Sequence, residues 1–376
     1  MDSLTQFVLG AAVATAGLGK VAGVRKAAIA GGLVATLPDL DVFLPFADPV
    51  DSFVYHRGWT HSLLVHVALA APLGEVLRRV LRIGREHRWR VIATVLLCLT
   101  THALLDAMTV YGTRLFWPLF PDPVGVGSVF IIDPLYTFPL LALFVWVLVR
   151  GKWSRGVERA SVAVLVASTA YLGLSVVLQR HSEARALAAL EARGIQPDRL
   201  LATPTPFNTA VWTVVAIDGD RYHTLYPSIF DGDAPPVIHS HPRGANLLSC
   251  LGPNAALAKL AWFSHGFLAA EREGDDVVVS DLRMGLSPAF VFRFAVARVA
   301  EHGLDEMTPP RRVLSRQRIV EDDLDWLGKR FAGEPVGRPA EQETGVPLDG
   351  DVGDGLSVCR AVARKSGKIA TLPGRV

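Results

Sequence analysis

Up to about Gln179 the apolar residues of this chain gather in runs separated by arginine-rich breaks, and no other feature limits the fold as much. A helix of roughly 20 apolar residues spans the hydrocarbon core of a bilayer, and an ordinary soluble core does not absorb several of them in succession. The runs are Leu4 to about Gly19, of spanning length only if it continues to Val24, then Ala27 to Leu37, Leu63 to Leu77, Val91 to Met108, Leu135 to Val149 and Ser161 to Leu178. The second run stops at Pro38 and is short for a crossing, so it is either re-entrant or continues through Phe46. Asp2 is the only charge before Lys20, so the first run lacks the basic start of a secretory signal and reads as an uncleaved helix. The expected fold is mainly α: a polytopic transmembrane bundle of about six helices over residues 1–180, one of them re-entrant if the second run does not cross. Half of the 376 residues are hydrophobic and a fifth are charged, more apolar than a soluble chain of this size.

Charge sets the expected orientation. Arg78, Arg79, Arg82, Arg85, Arg88 and Arg90 fill one break, and Arg150, Lys152, Arg155 and Arg159 fill another, whereas the stretches 38–59 and 111–134 carry only Arg57 and Arg114. If the first two runs both cross, the positive-inside rule places the N-terminus outside, with Pro38 to Ser62, the end of the Asp106 helix, the Tyr111-Gly112-Thr113 segment and the Ile132-Asp133-Pro134 loop on one extracytoplasmic face. If the second run is re-entrant, only the first helix reverses and the His and Asp motifs still share a side. A net charge of +2 argues against a direct nucleic-acid partner, and three widely spaced cysteines give no Cys-type zinc pattern.

Beyond the last run the chain changes character. Residues 181–200 have helical spacing and read as a connecting helix. Alternation at Val211, Thr213, Val215 and Ile217, the Asp218-Gly219-Asp220 turn, and alternation again at Tyr222, Thr224 and Tyr226 predict a hairpin, and Val277-Val278-Val279 a further strand. A small, β-rich α+β soluble domain is expected over 201–300, and a mostly disordered tail over 301–376, rich in Pro, Gly, Arg and acids.

Two clusters carry the chemistry. His56-Arg57-Gly58-Trp59-Thr60-His61-Ser62 follows Pro38-Asp39-Leu40-Asp41, and Thr101-His102-Ala103-Leu104-Leu105-Asp106 closes a later apolar run, where a helix sets His102 and Asp106 one turn apart on one face. Ionisable groups near hydrocarbon are costly unless they face a cavity, a counter-charge or a metal. His56, His61, His102, Asp106, Asp39 and Asp41 are the candidate ligands, with nitrogens and oxygens that suit zinc first and manganese or iron next. Asp39 and Asp41 double as candidates for a general base, and Arg57 as a clamp on a phosphate, unless it pairs with Asp51 or a lipid headgroup. His66 points to another helix face than His61, and His239-Ser240-His241 reads as a solvated turn in a proline-rich loop. Trp59 and Trp117 read as interfacial anchors.

These residues carry a resemblance. Met1-Asp2-Ser3-Leu4-Thr5-Gln6 with Leu9-Gly10-Ala11-Ala12, the Asp39, His56 and His102 motifs, and Tyr111-Gly112-Thr113 with Phe116-Trp117-Pro118 resemble the bacterial membrane-bound metal-dependent hydrolase family, also described as LexA-binding, inner-membrane-associated hydrolases. The likeness continues through Asp133-Pro134-Leu135-Tyr136 and Trp262-Phe263-Ser264 to Asp281-Leu282-Arg283. It implies a multi-pass inner-membrane protein with metal-dependent hydrolytic activity. Thr15 and Arg114 depart from it, since relatives carry an acidic residue and a glutamine near these positions. The functional expectation is hydrolysis of a phospholipid or lipid-linked phosphoester by a metal-activated water, with membrane lipid as partner. The alternatives are a non-enzymatic scaffold for a regulator such as LexA, and an ion or proton transporter.

Overall fold

Glycines and prolines divide the apolar N-terminal stretch into helices of very unequal length. The structure, a computed structural model, describes residues 1–300, 303–315 and 321–344, and divides them into two compact units. The first gathers residues 1–45, 55–183 and 202–212; the second gathers 46–54, 184–201 and the chain from 213 onward. Residues 46–54, inside the stretch expected to be wholly membrane domain, therefore cluster with the C-terminal part.

In chain order the helices are α1 (Ser3–Ala22), α2 (Val24–Thr36), α3 (Pro49–Tyr55), α4 (Leu63–Val80), α5 (Arg88–Ala107), α6 (Pro134–Arg150) and α7 (Arg155–Glu191), with 3-10 turns at Pro38–Phe43, Trp59–His61 and Arg85–His87. Asp2 caps α1 by accepting from the Thr5 N–H at 3.0 Å, and Gly23 ends it at φ 82°, a backbone angle that glycine adopts without strain. The chain turns back at once into α2, and the two helices touch through small residues. A Cβ on Gly31 would stand 2.2 Å from the Ala14 Cβ and 2.4 Å from the Gly10 carbonyl oxygen. Gly74 lets α4 approach the α5 backbone at Ile92 in the same way. Val8, Leu9 and Ala12 of α1 meet Leu105 of α5 and Leu140, Leu143 and Val147 of α6 in the main buried cluster of this unit.

Among the described residues, three helical stretches, α1, residues 85–107 and α7, are long and apolar enough to cross a membrane, and a fourth crossing results if the bent pair Pro49–His61 and Leu63–Val80 is one span. The expected count of about six is reduced because α2 has 13 residues and α6 has 17. The last span and the connecting helix are one continuous helix of 37 residues. Val162, Val166, Leu174 and Val177 of α7 stay exposed, an apolar face that suits lipid.

After α7 come β1 (Arg199–Pro204), β2 (Trp212–Asp218), β3 (Arg221–Leu225), β4 (Ile238–Pro242), α8 (Ala245–Cys250), α9 (Ala255–Phe263), β5 (Leu268–Glu273), β6 (Asp276–Asp281), β7 (Gly285–Leu286), β8 (Ala289–Phe290), β9 (Arg293–Ala300), β10 (Gly303–Val313), α10 (Glu321–Phe331) and α11 (Pro339–Thr344), all in the second unit except the part of β1 from Ala202 and Trp212 of β2. The strands form two four-stranded sheets, ordered β1-β2-β3-β4 and β10-β9-β6-β5, and a separate two-stranded one of β7 and β8. The β2–β3 hairpin turns at Gly219 and Asp220 with Asp218 opposite Arg221, as the alternation predicts. Val215, Ile217 and Tyr222 pack with Phe267, Leu282 and Phe290.

Two expectations are corrected here. His239, Ser240 and His241 lie buried on β4, not in a solvated turn, because β4 is the edge strand whose face with Tyr222 and Tyr226 is covered. Within the stretch 301–376, residues 303–315 and 321–344 carry β10, α10 and α11, and Arg330, Arg338 and Glu341 there are buried. Arg338 pairs with Asp323 and Arg330 with Asp231, each within 2.6 Å. Residues 345–376 of the expected tail lie outside the described residues.

Candidate metal centre

A 3-10 turn, a bend and a helix end bring four side chains of the first unit to one point. Pro38 stops the helical run, and the turn that follows carries Asp39 and Asp41. The chain bends again at Arg57, whose φ of 60° is unusual for a residue with a Cβ, and enters the Trp59–His61 turn. Ser62 then caps α4, and its hydroxyl donates to the Trp117 carbonyl at 2.6 Å. His102 and Asp106 sit one turn apart near the end of α5.

Asp39, His61, His102 and Asp106 each offer one ligand atom, all within 4.8 Å of one another. His61 Nε2 lies 3.1 Å from His102 Nε2, 3.2 Å from Asp106 Oδ2 and 3.4 Å from Asp39 Oδ1. His102 Nε2 lies 3.4 Å from Asp39 Oδ1 and 3.5 Å from Asp106 Oδ2. A tetrahedron of nitrogen and oxygen ligands at roughly 2.0–2.1 Å from a zinc ion has edges of about 3.3–3.4 Å. These five of the six separations match that figure, and the sixth, between Asp39 and Asp106, is within 4.8 Å. His61, His102 and Asp106 are fully buried, and Asp39 keeps 21% of its side chain exposed.

Hydrogen bonding alone leaves this arrangement incomplete. Asp106 Oδ2 is buried, and among the described residues no donor meets it with hydrogen-bond geometry, although Arg57 Nε, His61 Nε2 and His102 Nε2 stand around it. The ion pair with Arg57 balances the charge of this oxygen but donates no hydrogen to it, and a cation among the four atoms would supply the coordination it lacks. The donor set therefore fits a divalent ion. The other oxygen, Oδ1, accepts from Gln6 Nε2 at 2.9 Å and from the Met1 amino group.

A second group lies beside the first. Asp41 Oδ1 faces His56 Nδ1 at 2.9 Å, and its Oδ2 accepts from the Arg57 N–H and the Thr60 hydroxyl, both at 2.9 Å. The Thr60 hydroxyl is also 3.0 Å from His61 Nδ1, so it ties Asp41 to the back of that imidazole. Of the six candidate ligands, the structure thus gathers four at one point and places His56 and Asp41 as a pair next to them. Burial opposes charge on both aspartates. It is outweighed at Asp39 by hydrogen bonds from His102 and His61, and at Asp41 by His56, His61 and Thr60, so both carboxyls titrate below the ordinary range.

Arg57 pairs with Asp106 Oδ2 at 3.2 Å, donates to the Thr109 hydroxyl at 3.2 Å and lies over the Tyr111 ring at 5.0 Å. Asp51, its expected alternative partner, instead pairs with Lys259 inside the second unit. Thr15 donates to Ala11 in its own helix, and nine residues separate it from Gln6, roughly 13 Å of rise. His66 bonds the Thr60 carbonyl at 2.8 Å behind the site. Gln6 is a site residue that the sequence reading passes over; the signal for it is a lone amide on an otherwise apolar helix.

Residues 1–182 match the family model described as YdjM inner membrane protein. That match and the apolar helices support a bacterial inner-membrane protein, and all four gathered residues lie inside the matched region. The description names a place, not a reaction. A search of curated proteins and one of solved structures give no match.

Proposed function

We propose that the first unit is a metal-dependent hydrolase centre that acts on a phosphoester carried by a lipid, with Asp39, His61, His102 and Asp106 holding one divalent ion. The observation that carries this reading is the set of two imidazole nitrogens and two carboxylate oxygens, all within 4.8 Å and five of their six separations 3.1–3.5 Å, with one of the oxygens buried and short of donors. A bound divalent ion lowers the pKa of a coordinated water and polarises a phosphoryl oxygen. The chain's own residues supply the rest. Arg57, held by Thr109 and Tyr111, offers a guanidinium next to Asp106 to an anionic oxygen. With Asp39 committed to the donor set, Asp41 and its partner His56, which is a quarter exposed, are the proton acceptor and its relay.

The lipid part of the proposal rests on the Pro38–Phe43 turn. Leu40, Val42 and Phe43 alternate with or follow the two aspartates and are 53%, 63% and 81% exposed. A substrate with a polar head and an apolar chain suits this pairing of carboxylates and bare apolar side chains.

The test is the metal content of the detergent-purified full chain, measured by inductively coupled plasma mass spectrometry beside His102→Ala and Asp106→Asn. About one zinc, manganese or iron per chain in the parent and loss in both variants is the expected result. Phospholipid vesicles would then be assayed for release of the headgroup or phosphate, which Arg57→Lys should slow by about 10²-fold or more. A parent chain without metal after reconstitution with all three ions would overturn the proposal. Bound metal with no hydrolysis of any lipid phosphoester would reduce the site to one that stabilises the fold, as its four protein ligands also permit.

A further inference from the structure

We infer that the basic end of the helix bundle holds a site for the phosphate of an anionic phospholipid headgroup, in the cavity lined by Lys20, Arg82, His87 and Arg90. The cavity measures about 410 Å³ and lies where α1, α4 and the 3-10 turn Arg85–His87 meet the start of α5. Glu86 is the one acid on its wall, so three permanent cations against one acid leave a charge of +2 before His87 is counted.

The arginine run around it is not a uniform basic belt. Arg78 and Arg79 each lie 2.8 Å from Glu75, and Arg88 lies 3.8 Å from the same carboxylate, so Glu75 serves three arginines that do not line the cavity. Arg82 has no ion pair among the described residues. Its φ of 55° belongs to the turn that ends α4, where the Ile83 N–H donates to the Arg78 carbonyl and the Arg82 N–H to the Arg79 carbonyl, so Arg82 sits at a fixed helix end. Arg90 donates through Nε to the Gly17 carbonyl, which fixes its guanidinium at the cavity, and Lys20 is held over the Trp153 ring at 5.5 Å. These are positioned cations awaiting an anion of matched geometry.

Depth and surroundings select a lipid as the source of that anion. Arg90 and Asp106 are 16 residues apart along one helix, about 24 Å, so the cavity and the four-residue centre sit at opposite ends of a membrane-long helix. Trp89, 74% exposed, marks an interfacial level, and Val76 and Val80 are 59% and 70% exposed on α4 just before Arg82. A headgroup in the cavity would lay its acyl chains on those valines, which a free phosphate has no use for.

Native mass spectrometry of the full chain, exchanged into micelles with equal phosphatidylglycerol and phosphatidylcholine, tests this. The parent should retain phosphatidylglycerol selectively. Lys20→Gln and Arg82→Gln should each lower retention about fivefold. Arg79→Gln, equally basic but paired with Glu75, should leave it unchanged. Glu86→Gln should raise it, a gain that misfolding cannot produce. Equal loss in Arg79→Gln, equal retention of both lipids, or displacement of the lipid by millimolar inorganic phosphate would each overturn the proposal.

Discussion

The Thr60 hydroxyl joins Asp41 Oδ2, 2.9 Å away, to His61 Nδ1, 3.0 Å away, and so fixes which nitrogen of His61 turns toward the other three donors. Such supports behind a ligating histidine set the ring's orientation and basicity, and their loss weakens metal binding by roughly 10–100-fold. Thr60→Val should show that loss in a chelator competition, with Thr60→Ser close to the parent; a Val variant that binds as tightly as the parent would remove Thr60 from the site. His102 carries no matching support, since its buried Nδ1 has no hydrogen-bond partner among the described residues. The residue types of the centre were legible in the sequence because histidine and aspartate next to apolar runs need a reason to be there. Their grouping was not. Whether His56 or His61 joins His102 depends on a 3-10 turn and on the φ of Arg57, and neither leaves a periodicity to read.

At the scale of helices, α1 and α2 form a hairpin whose closeness depends on having no side chain at two positions. With Gly31 so near Ala14 and Gly10, Gly31→Leu has no space without parting the helices. We expect a cost of about 1–3 kcal/mol or more, read as a lower melting temperature in detergent. Gly173→Ala on α7 meets nothing within 4 Å and should leave the melting temperature unchanged or raise it slightly. Equal melting temperatures for Gly31→Leu and the parent would mean that this contact does not hold the hairpin. The glycines and alanines of residues 4–37 are a sequence signal for such close packing. The lengths of the helices were less legible, because a hydropathy run does not show that Gly23 and Pro38 cut α2 to 13 residues, nor that α7 continues through its polar end to Glu191.

Across the molecule the second unit depends on segments that composition alone had assigned to disorder. Glu341 accepts from Thr224 and Tyr226, and Arg338 donates to Asp323 and the Ser287 carbonyl, so polar residues that look like tail are buried and paired. Composition counts charges but not partners. The β3–β4 pair beneath them contains two histidines whose burial favours the neutral ring. His223 bonds Ser240 at 2.8 Å and titrates below its ordinary value because burial, Arg221 and His241 outweigh Asp218. His239 is lowered by burial first, with His241 and Arg338 adding to it and Glu341 opposing. Both groups bind fewer protons folded than unfolded, so stability rises with pH between the folded value and the unfolded value of about 6.5. Their contribution is complete above that point and is lost as pH falls below it. Hydrogen exchange on the full chain, corrected for intrinsic rates, should therefore show β3 and β4 amides equally protected at about pH 7.5 and 7 and progressively less so from about 6.5 downward. A His223→Gln and His239→Gln double variant should flatten that slope, whereas protection that grows on acidification would mean these rings are charged in the fold and that burial does not govern them.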